Sequence, residues 1–213
     1  MPSFRSTIKF TANSNSTMFN IKTLTTMKRK YSEEERQEQM MLHKHFSRTG
    51  NPALYVGTYA KYNSGSLYGM WVDLATFSNY QEFIEFCRLL HWDERDPELM
   101  YQDFEGFPEE WYSECGIGEE TFDLIVEYAS LSDEDKEMVD AYATCTGEHD
   151  IDAARDNHCG QWDSEEDFAW HIFDEFHASL IPVSMHQYFN IERFASDLFD
   201  FDYYFENGHV FFR

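Results

Sequence analysis

The sequence predicts an α+β protein, an elongated chain of three small domains that follows a poorly ordered N-terminal segment. Three observations point to this class. Two aromatic-rich strand patterns flank a turn at 63–66, apolar residues recur at helical spacing from 122 to 142, and an Asn-Gly pair separates two further strand patterns at 202–213. The predicted parts are a basic, disordered leader at 1–50, an α+β domain at 51–106, a helical middle domain at 107–146, and a C-terminal α+β domain at 147–213 with a helix and a β-hairpin.

The first 50 residues differ from the rest of the chain in charge. They contain nine Lys or Arg against four Glu, and the first 32 residues have no acid. This composition is consistent with an organelle transit peptide, a disordered leader or an extension upstream of a start at Met27. Of these, we expect a poorly ordered segment. A short helix is expected within 31–48. Because Asn51-Pro52 interrupts any continuation, the folded body is predicted to begin there.

The first domain is predicted to open with a β-hairpin formed by 54–74, because two runs rich in Tyr, Val, Leu and Trp surround its turn. A helix at 80–91 should follow, since apolar residues recur there at helical spacing and Ser78 or Asn79 can cap it. The stretch 97–118 is aromatic-rich without a clear period. We expect it to be irregular.

The middle domain is predicted to contain two helices. An apolar stripe at 122–129 indicates the first helix. Ser132 is the expected N-cap of the second helix, with Asp135 three residues further on, and Gly147 is the expected end. The two helices are close in sequence and are predicted to make up a small helical unit.

The C-terminal domain is predicted to begin with an acidic helix at 165–177, capped by Ser164 and ended by Pro182. A second helix is expected at 190–199. Asn207-Gly208 lies between two β-rich runs, which is a strong short-range hairpin signal.

The acid excess limits what the protein can bind. The formal net charge is −24, and residues 51–213 contain 36 acids against seven Lys or Arg, so ion pairs can neutralise only a small fraction. Nucleic acid, anionic membranes and acidic substrates are disfavoured, and a basic partner is favoured. No apolar run approaches the roughly 20 residues needed to span a bilayer. Four scattered cysteines indicate free thiols in a cytoplasmic protein.

Acids on the predicted helices are not placed as stability alone would favour. Glu127, Asp174 and Glu175 lie near helix C-termini, where negative charge is unfavourable. Duplex DNA carries about one charge per 1.7 Å of axis, so the 29 net negative charges of 51–213 match roughly 50 Å of duplex, more than the roughly 40 Å diameter of a globule of that length. The carboxylates inferred to bind a partner are Glu119, Glu120, Asp123, Glu127, Asp133, Glu134, Asp135, Glu137, Asp163, Glu165, Glu166, Asp167, Asp174 and Glu175.

Catalytic and metal sites have little support in the sequence. No GxSxG, P-loop, GxGxxG or HExxH motif is present. Asp163, Glu165 and Asp167 match positions one, three and five of a calcium loop, but Phe168 stands where that loop needs Gly. A conceivable zinc set, with a spacing that fits no standard site, comprises Cys145, His149, His158 and Cys159. We therefore predict no catalytic residue, metal or cofactor, with an acidic metal-dependent hydrolase as an alternative.

The hairpin region resembles the N-terminal signature of the ArdA antirestriction family. In that family a Tyr-rich strand leads into a Tyr-Asn-x-Gly-x-Leu-x-Gly-x-Trp motif. The matching residues are Tyr62, Asn63, Gly65, Leu67, Gly69 and Trp71. The segments 96–108, 163–169 and 202–212 also look like parts of that family and occur in the same order, so the similarity extends over about 53–213.

This resemblance implies an elongated, curved dimer whose surface carboxylates mimic DNA phosphates. It also implies a non-enzymatic protein of mobile genetic elements that occupies the DNA-binding groove of type I restriction–modification enzymes, at their methyltransferase and specificity core. The fourteen acids themselves are inferred from local charge density. An acidic adaptor for another basic protein is a further alternative. We favour a dimer surface, or otherwise a hairpin core, built from Phe199, Phe201, Tyr203, Tyr204, Phe205, Phe211 and Phe212.

Overall fold

The computed structural model describes residues 31–213 and shows an α+β protein. Within these residues, two antiparallel three-stranded sheets combine with nine α-helices. The chain divides into two compact units, of which the first ends at Ala129 and the second is Ser130–Arg213. The predicted α+β class is confirmed, whereas the division into three domains stays a prediction.

An ordered segment precedes the predicted start of the body. Helix α1, Glu33–Leu42, forms behind a Ser-Glu capping box that satisfies two backbone donors of its first turn. Just after it, His43 and His45 are buried, and the backbone N–H of His45 donates to the carbonyl of Trp71 in the first sheet. The ordered body therefore starts earlier than the sequence indicated. The remainder of the predicted leader, 1–30, lies outside the described residues.

The first sheet has the strand order β2-β1-β3, with β1 at Ala53–Thr58, β2 at Met70–Asp73 and β3 at Leu99–Glu105. The antiparallel pairing of the predicted hairpin is confirmed, but its connection contains helix α2, Tyr59–Asn63, where the sequence indicated a continuing strand. The prediction of irregular structure at 97–118 is wrong for β3. That strand is stabilised by pairing with β1, a contact between segments far apart in sequence.

Two helices pack in the core of the first unit. Helix α3, Tyr80–Leu90, begins behind Asn79, as its apolar spacing and cap predicted. Helix α4, Glu119–Ser130, faces the same core with Phe122, whose ring centroid lies 5.6 Å from that of Phe83. The first predicted helix of the middle domain thus completes the core around the first sheet.

The second unit begins with helix α5, Asp133–Thr146, which starts at its predicted N-cap Ser132 and ends at Gly147 in a left-handed conformation with φ 91°. Helix α4 lies at the end of the first compact unit and α5 lies in the second, and the predicted middle domain stays a prediction. Helix α6, Ile151–Asn157, and strand β4, His158–Gln161, follow; neither was predicted.

The second sheet has the order β4-β6-β5, with β5 at Tyr203–Glu206 and β6 at His209–Phe212. The predicted C-terminal hairpin is confirmed. Its turn residues Asn207 and Gly208 have φ values of 50° and 83°, as a two-residue turn between twisted strands requires.

Helices cover this hairpin. Helix α7, Glu165–Ile172, continues into a π-helical turn at Phe173–His177 and a 3₁₀ turn at Ala178–Leu180. Helix α8, Val183–His186, is a single turn, and α9, Ile191–Phe201, matches the predicted second helix. The buried residues of their shared core are Phe168, Phe199 and Val210.

Candidate partner-binding surface

All fourteen carboxylates inferred from the sequence are exposed at the surface. They are carried by α4, by α5, by α7 and the π-helical turn after it, and by Asp163, which lies two residues before α7. Each of these helices buries apolar residues on its other side, so packing of the core turns the acids outwards. The amphipathic pattern in the sequence therefore fixes which way the charge faces.

On α4, Glu119, Asp123 and Glu127 follow one another at intervals of four residues and form a row along one face, opposite buried Phe122 and Ile125. At a rise of about 1.5 Å per residue, this row is about 12 Å long and places one carboxylate every ~6 Å. A single strand of B-DNA carries one phosphate per ~3.4 Å of axis. One helical row thus provides about half the axial charge density of one DNA strand, so several rows are needed to match DNA.

A second row lies on α5 and includes an acid that the sequence analysis omitted. Asp133, Glu137 and Asp140 are spaced by four and three residues and lie opposite the buried face of the helix. Asp140 is exposed, and its Oδ1 lies 3.4 Å from Nε2 of His149. The three-residue spacing between Glu137 and Asp140 could have identified Asp140 from the sequence.

The first turn of α7 holds Glu165, Glu166 and Asp167. The hydroxyl of Ser164 donates to Asp167 over 2.7 Å, and the backbone N–H of Asp167 donates to the same hydroxyl oxygen. Negative charge at a helix N-terminus is also favoured by the helix dipole. This acid group is therefore held on a well-capped helix end.

An aromatic side chain interrupts the acids further along α7. Glu166, Trp170 and Asp174 are four residues apart, and Trp170 is 39% exposed. In the π-helical turn, Oε2 of Glu175 lies 3.2 Å from Nε2 of His171. This part of the surface offers carboxylates beside an exposed indole ring, a combination that suits guanidinium and ammonium groups.

Several basic side chains pair with carboxylates outside the fourteen. The ion pairs are Arg36 with Glu33 at 2.6 Å, Lys61 with Asp93 at 2.9 Å, and Arg193 with Asp197 at 3.1 Å. These three bases therefore neutralise acids outside the fourteen.

Two acids of α5 lie near a histidine pair in the second sheet. His158 Nε2 and His209 Nδ1 are 3.0 Å apart, and His209 is buried. Burial lowers the pKa of His209, and Glu137 and Glu134 raise it in part. Burial also lowers the pKa of His158, as does the neighbouring His209. The pair is therefore neutral at pH 7 and leaves the charge of α5 in place.

The conceivable metal ligands do not come together. Within residues 31–213, no group of three or more His, Cys, Asp or Glu is arranged to hold a metal ion. His149 lies beside Asp140, His158 beside His209, and Cys159 donates to a backbone carbonyl. The four cysteines are free. Among the described helices, none combines the length and apolar character needed to cross a membrane.

The fold and this surface define a class of protein, an α+β protein that displays rows of carboxylates on its helices. The family model of the antirestriction protein (ArdA) matches residues 54–211. The chain belongs to the ArdA family, as the Tyr-Asn-x-Gly-x-Leu-x-Gly-x-Trp motif indicated. No curated protein matches it.

Proposed function

We propose that this protein is a DNA mimic that occupies the DNA-binding groove of a type I restriction–modification enzyme and so excludes DNA. One observation carries the proposal: rows of exposed carboxylates on three helical segments of a chain with a net charge of −24. Membership of an antirestriction family supports it, because the expected partner then binds DNA.

The physical basis is competition for cationic side chains. A DNA-binding groove contacts phosphates through Lys and Arg, and carboxylates accept charge-assisted hydrogen bonds from the same groups. Because α4, α5 and α7 each bury apolar residues, the acids within each helix keep their spacing on binding. Trp170 adds a face for a guanidinium group, a contact of about 0.5–2 kcal/mol.

The protein in this proposal acts by occupancy and carries out no reaction. It works in the cytoplasm, where restriction takes place, and as a homodimer, which doubles the number of carboxylates presented. At about one charge per 1.7 Å of duplex, two copies present the charge of roughly 100 Å of DNA.

A competition assay tests this function. A purified type I methyltransferase core, bound to fluorescently labelled specific DNA, is titrated with the full chain. We expect complete displacement of the DNA, with an apparent affinity that falls in proportion to the DNA concentration. Because the contacts are charged, the affinity should also fall as salt is added.

Binding to enzyme that is already saturated with DNA is the result that would contradict competition. If the protein binds enzyme that is already saturated with DNA as tightly as free enzyme, the two ligands use different sites. Mimicry of DNA would then be excluded even if the protein still inhibited restriction.

A further inference from the structure

A cavity of about 420 Å³ lies in the first unit, between α1, α3 and the 3₁₀ turn Leu74–Thr76. Its volume is within the ~300–1,000 Å³ that is typical of sites for small organic molecules. The fourteen acids of the candidate partner-binding surface take no part in its lining. The cavity is therefore a feature that the proposed function does not use.

Three aromatic residues contribute to the lining of this cavity. The ring of His43 stacks on that of Phe77, with centroids 4.1 Å apart and planes inclined by 12°, and its centroid lies 4.8 Å from that of Phe86. His43 is only 8% exposed. These rings are therefore fixed by packing, and aromatic rings attract cations.

Hydrogen bonds determine which nitrogen of His43 carries a proton. The hydroxyl of Thr76 donates to the carbonyl of Asp73 over 2.7 Å, so its oxygen accepts from Nδ1–H of His43 over 2.8 Å. Burial lowers the pKa of His43, and the charges of Glu82 and Asp73 raise it in part, so the ring is neutral at pH 7. Nε2 is then a lone-pair acceptor, and it has no hydrogen-bond partner within residues 31–213.

Two carboxylates complete the polar part of the lining. Glu82 and Glu85 lie one turn apart on α3, and both are exposed at the mouth of the cavity. The backbone N–H of Ser78 donates to Oε2 of Glu82 over 3.1 Å and so holds that side chain in place. No Lys or Arg is among the described residues that line the cavity. Its acceptors therefore favour a cation that brings its own N–H donors.

We propose that this cavity binds a guanidinium or alkylammonium group carried on an apolar stem. The stem contacts Leu42 and Leu89, which also line the cavity. The N–H groups of the cation donate to Nε2 of His43 and to the carboxylates of Glu82 and Glu85. A guanidinium suits the site best, because its planar fork of five donors can serve several acceptors at once. This binding goes beyond the proposed function, since it involves no DNA-binding enzyme.

Such a cation has two possible sources. One is a small organic molecule in solution. The other is the chain itself, because Lys28, Arg29 and Lys30 directly precede Tyr31, which lines the cavity. A group tethered so closely has an effective concentration on the order of mM. Both sources supply the same chemistry, and substitutions in the full chain separate them.

A titration of the full chain followed by heteronuclear NMR tests the site, with n-butylguanidinium as the ligand and n-butylurea as its uncharged isostere. We expect saturable shifts at the backbone amides of His43 and Thr76 with n-butylguanidinium, at a Kd on the order of 1 mM. The Kd of n-butylurea should be at least about tenfold higher, because its neutral head forms no charge-assisted hydrogen bonds.

Two pairs of substitutions test the carboxylates. Glu82→Gln combined with Glu85→Gln should raise the Kd of n-butylguanidinium at least about fivefold. Glu98→Gln combined with Glu109→Gln is the control, because it removes the same charge from exposed residues of the first unit that do not line the cavity. This control should leave the Kd within about twofold. Unchanged thermal unfolding of both variants shows that the fold persists.

Two further sets of substitutions identify the source of the cation. If the chain occupies its own cavity, Lys28→Gln, Arg29→Gln and Lys30→Gln together should lower the Kd of n-butylguanidinium at least about threefold. Arg5→Gln, Lys9→Gln and Lys22→Gln change the net charge equally and should then have no such effect. Equal Kd values in the two triple variants assign the site to a separate cation.

Three results would overturn the proposal: no saturable shift at His43 and Thr76 in any of these chains, equal binding of n-butylurea, or a Kd that the change of Glu82 and Glu85 leaves unaltered. The DNA competition assay with the same variants is a separate measurement. A chain that binds n-butylguanidinium but does not displace DNA would contradict the proposed function alone.

Discussion

At Gly69 the backbone passes so close to β1 that a side chain has no room. A Cβ built there would lie 2.5 Å from the carbonyl oxygen of Val56 and 2.8 Å from the ring of Tyr55. Because β1 is the central strand of its sheet, that carbonyl cannot retreat. We predict that Gly69→Ala lowers the free energy of unfolding by about 2 kcal/mol, measured in urea. Gly118→Ala is the control, since nothing lies within 4 Å of its Cβ; equal losses would contradict the steric explanation.

The contact between His158 and the buried His209 predicts a pH dependence of stability. Burial lowers the pKa of both His158 and His209 from the usual value of 6.5. At pH values between 6.5 and the lower pKa of the folded state, the unfolded state binds more protons than the folded state. The contribution of these histidines to the free energy of unfolding is therefore fully present above about pH 6.5 and is lost as the pH falls. His43 and His91 have lowered pKa values as well, so their contributions have the same sign.

Urea unfolding between about pH 7.5 and 5 measures this effect, with a slope of at most ~1.4 kcal/mol per pH unit for each proton. His209→Gln should reduce the slope, because one titrating group is removed while a polar side chain remains for His158. A slope that is unchanged in this variant would assign the pH dependence to other groups.

At the residue scale, the sequence predicted what depends on near neighbours. The caps Ser132 and Ser164 were identified, and Asn79 was one of two candidates, because a cap needs only a partner three residues away. The contact between His158 and His209 joins positions 51 residues apart, and no local pattern marks it. Buried polar contacts of this kind could not be derived without the fold.

At the scale of elements, the helical acid rows predict which charges matter for inhibition. We expect the triple variant Asp163→Lys, Glu166→Lys and Asp174→Lys on and beside α7 to weaken DNA displacement on the order of 100-fold, because each reversed charge would face a cation of the groove. All three positions are exposed, so the fold should persist. The competition assay and thermal unfolding measure the two effects.

A second triple variant of the same unit provides the control. Asp156→Lys, Glu192→Lys and Asp200→Lys change the net charge equally, and these three residues are also exposed but lie outside the fourteen. Glu192 matches Glu166 because both occupy the first turn of a helix. Equal losses in the two triple variants would show that net charge, and no particular row, determines binding.

Elements with an apolar stripe and a cap were predicted, and elements defined by distant pairing were not. Helices α3, α5 and α9 carry their own pattern. Strand β3 shows no clean alternation and depends on β1, while the four-residue β4 contains Gly160 and is held by β6. Strands of this kind are specified by the partner that they meet in the fold.

For the whole molecule, the sequence revealed the distribution of charge, because counting charged residues needs no structure. It did not reveal which core each helix joins. Helix α4 joins the first core through Phe122 and Ile125. Helical periodicity shows only that a helix has an apolar face and does not identify the partner of that face.

The charge asymmetry of the chain leads to a prediction for the rate of partner binding. Residues 1–30 contain six Lys or Arg and no acid, so a deletion of this segment changes the formal net charge from −24 to −30. Long-range attraction to a cationic groove grows with that charge. We expect the association rate in stopped-flow binding to rise by roughly twofold or more at low salt, and this gain to disappear at high salt.

A deletion of residues 1–50 is the informative comparison, because it also removes α1 and the buried His43 and His45. His45 contributes a backbone hydrogen bond to Trp71 and a side-chain contact to Glu105. This longer deletion should therefore lower the free energy of unfolding. If the shorter deletion instead slows association, residues 1–30 assist binding, and the net charge of the chain does not set the rate.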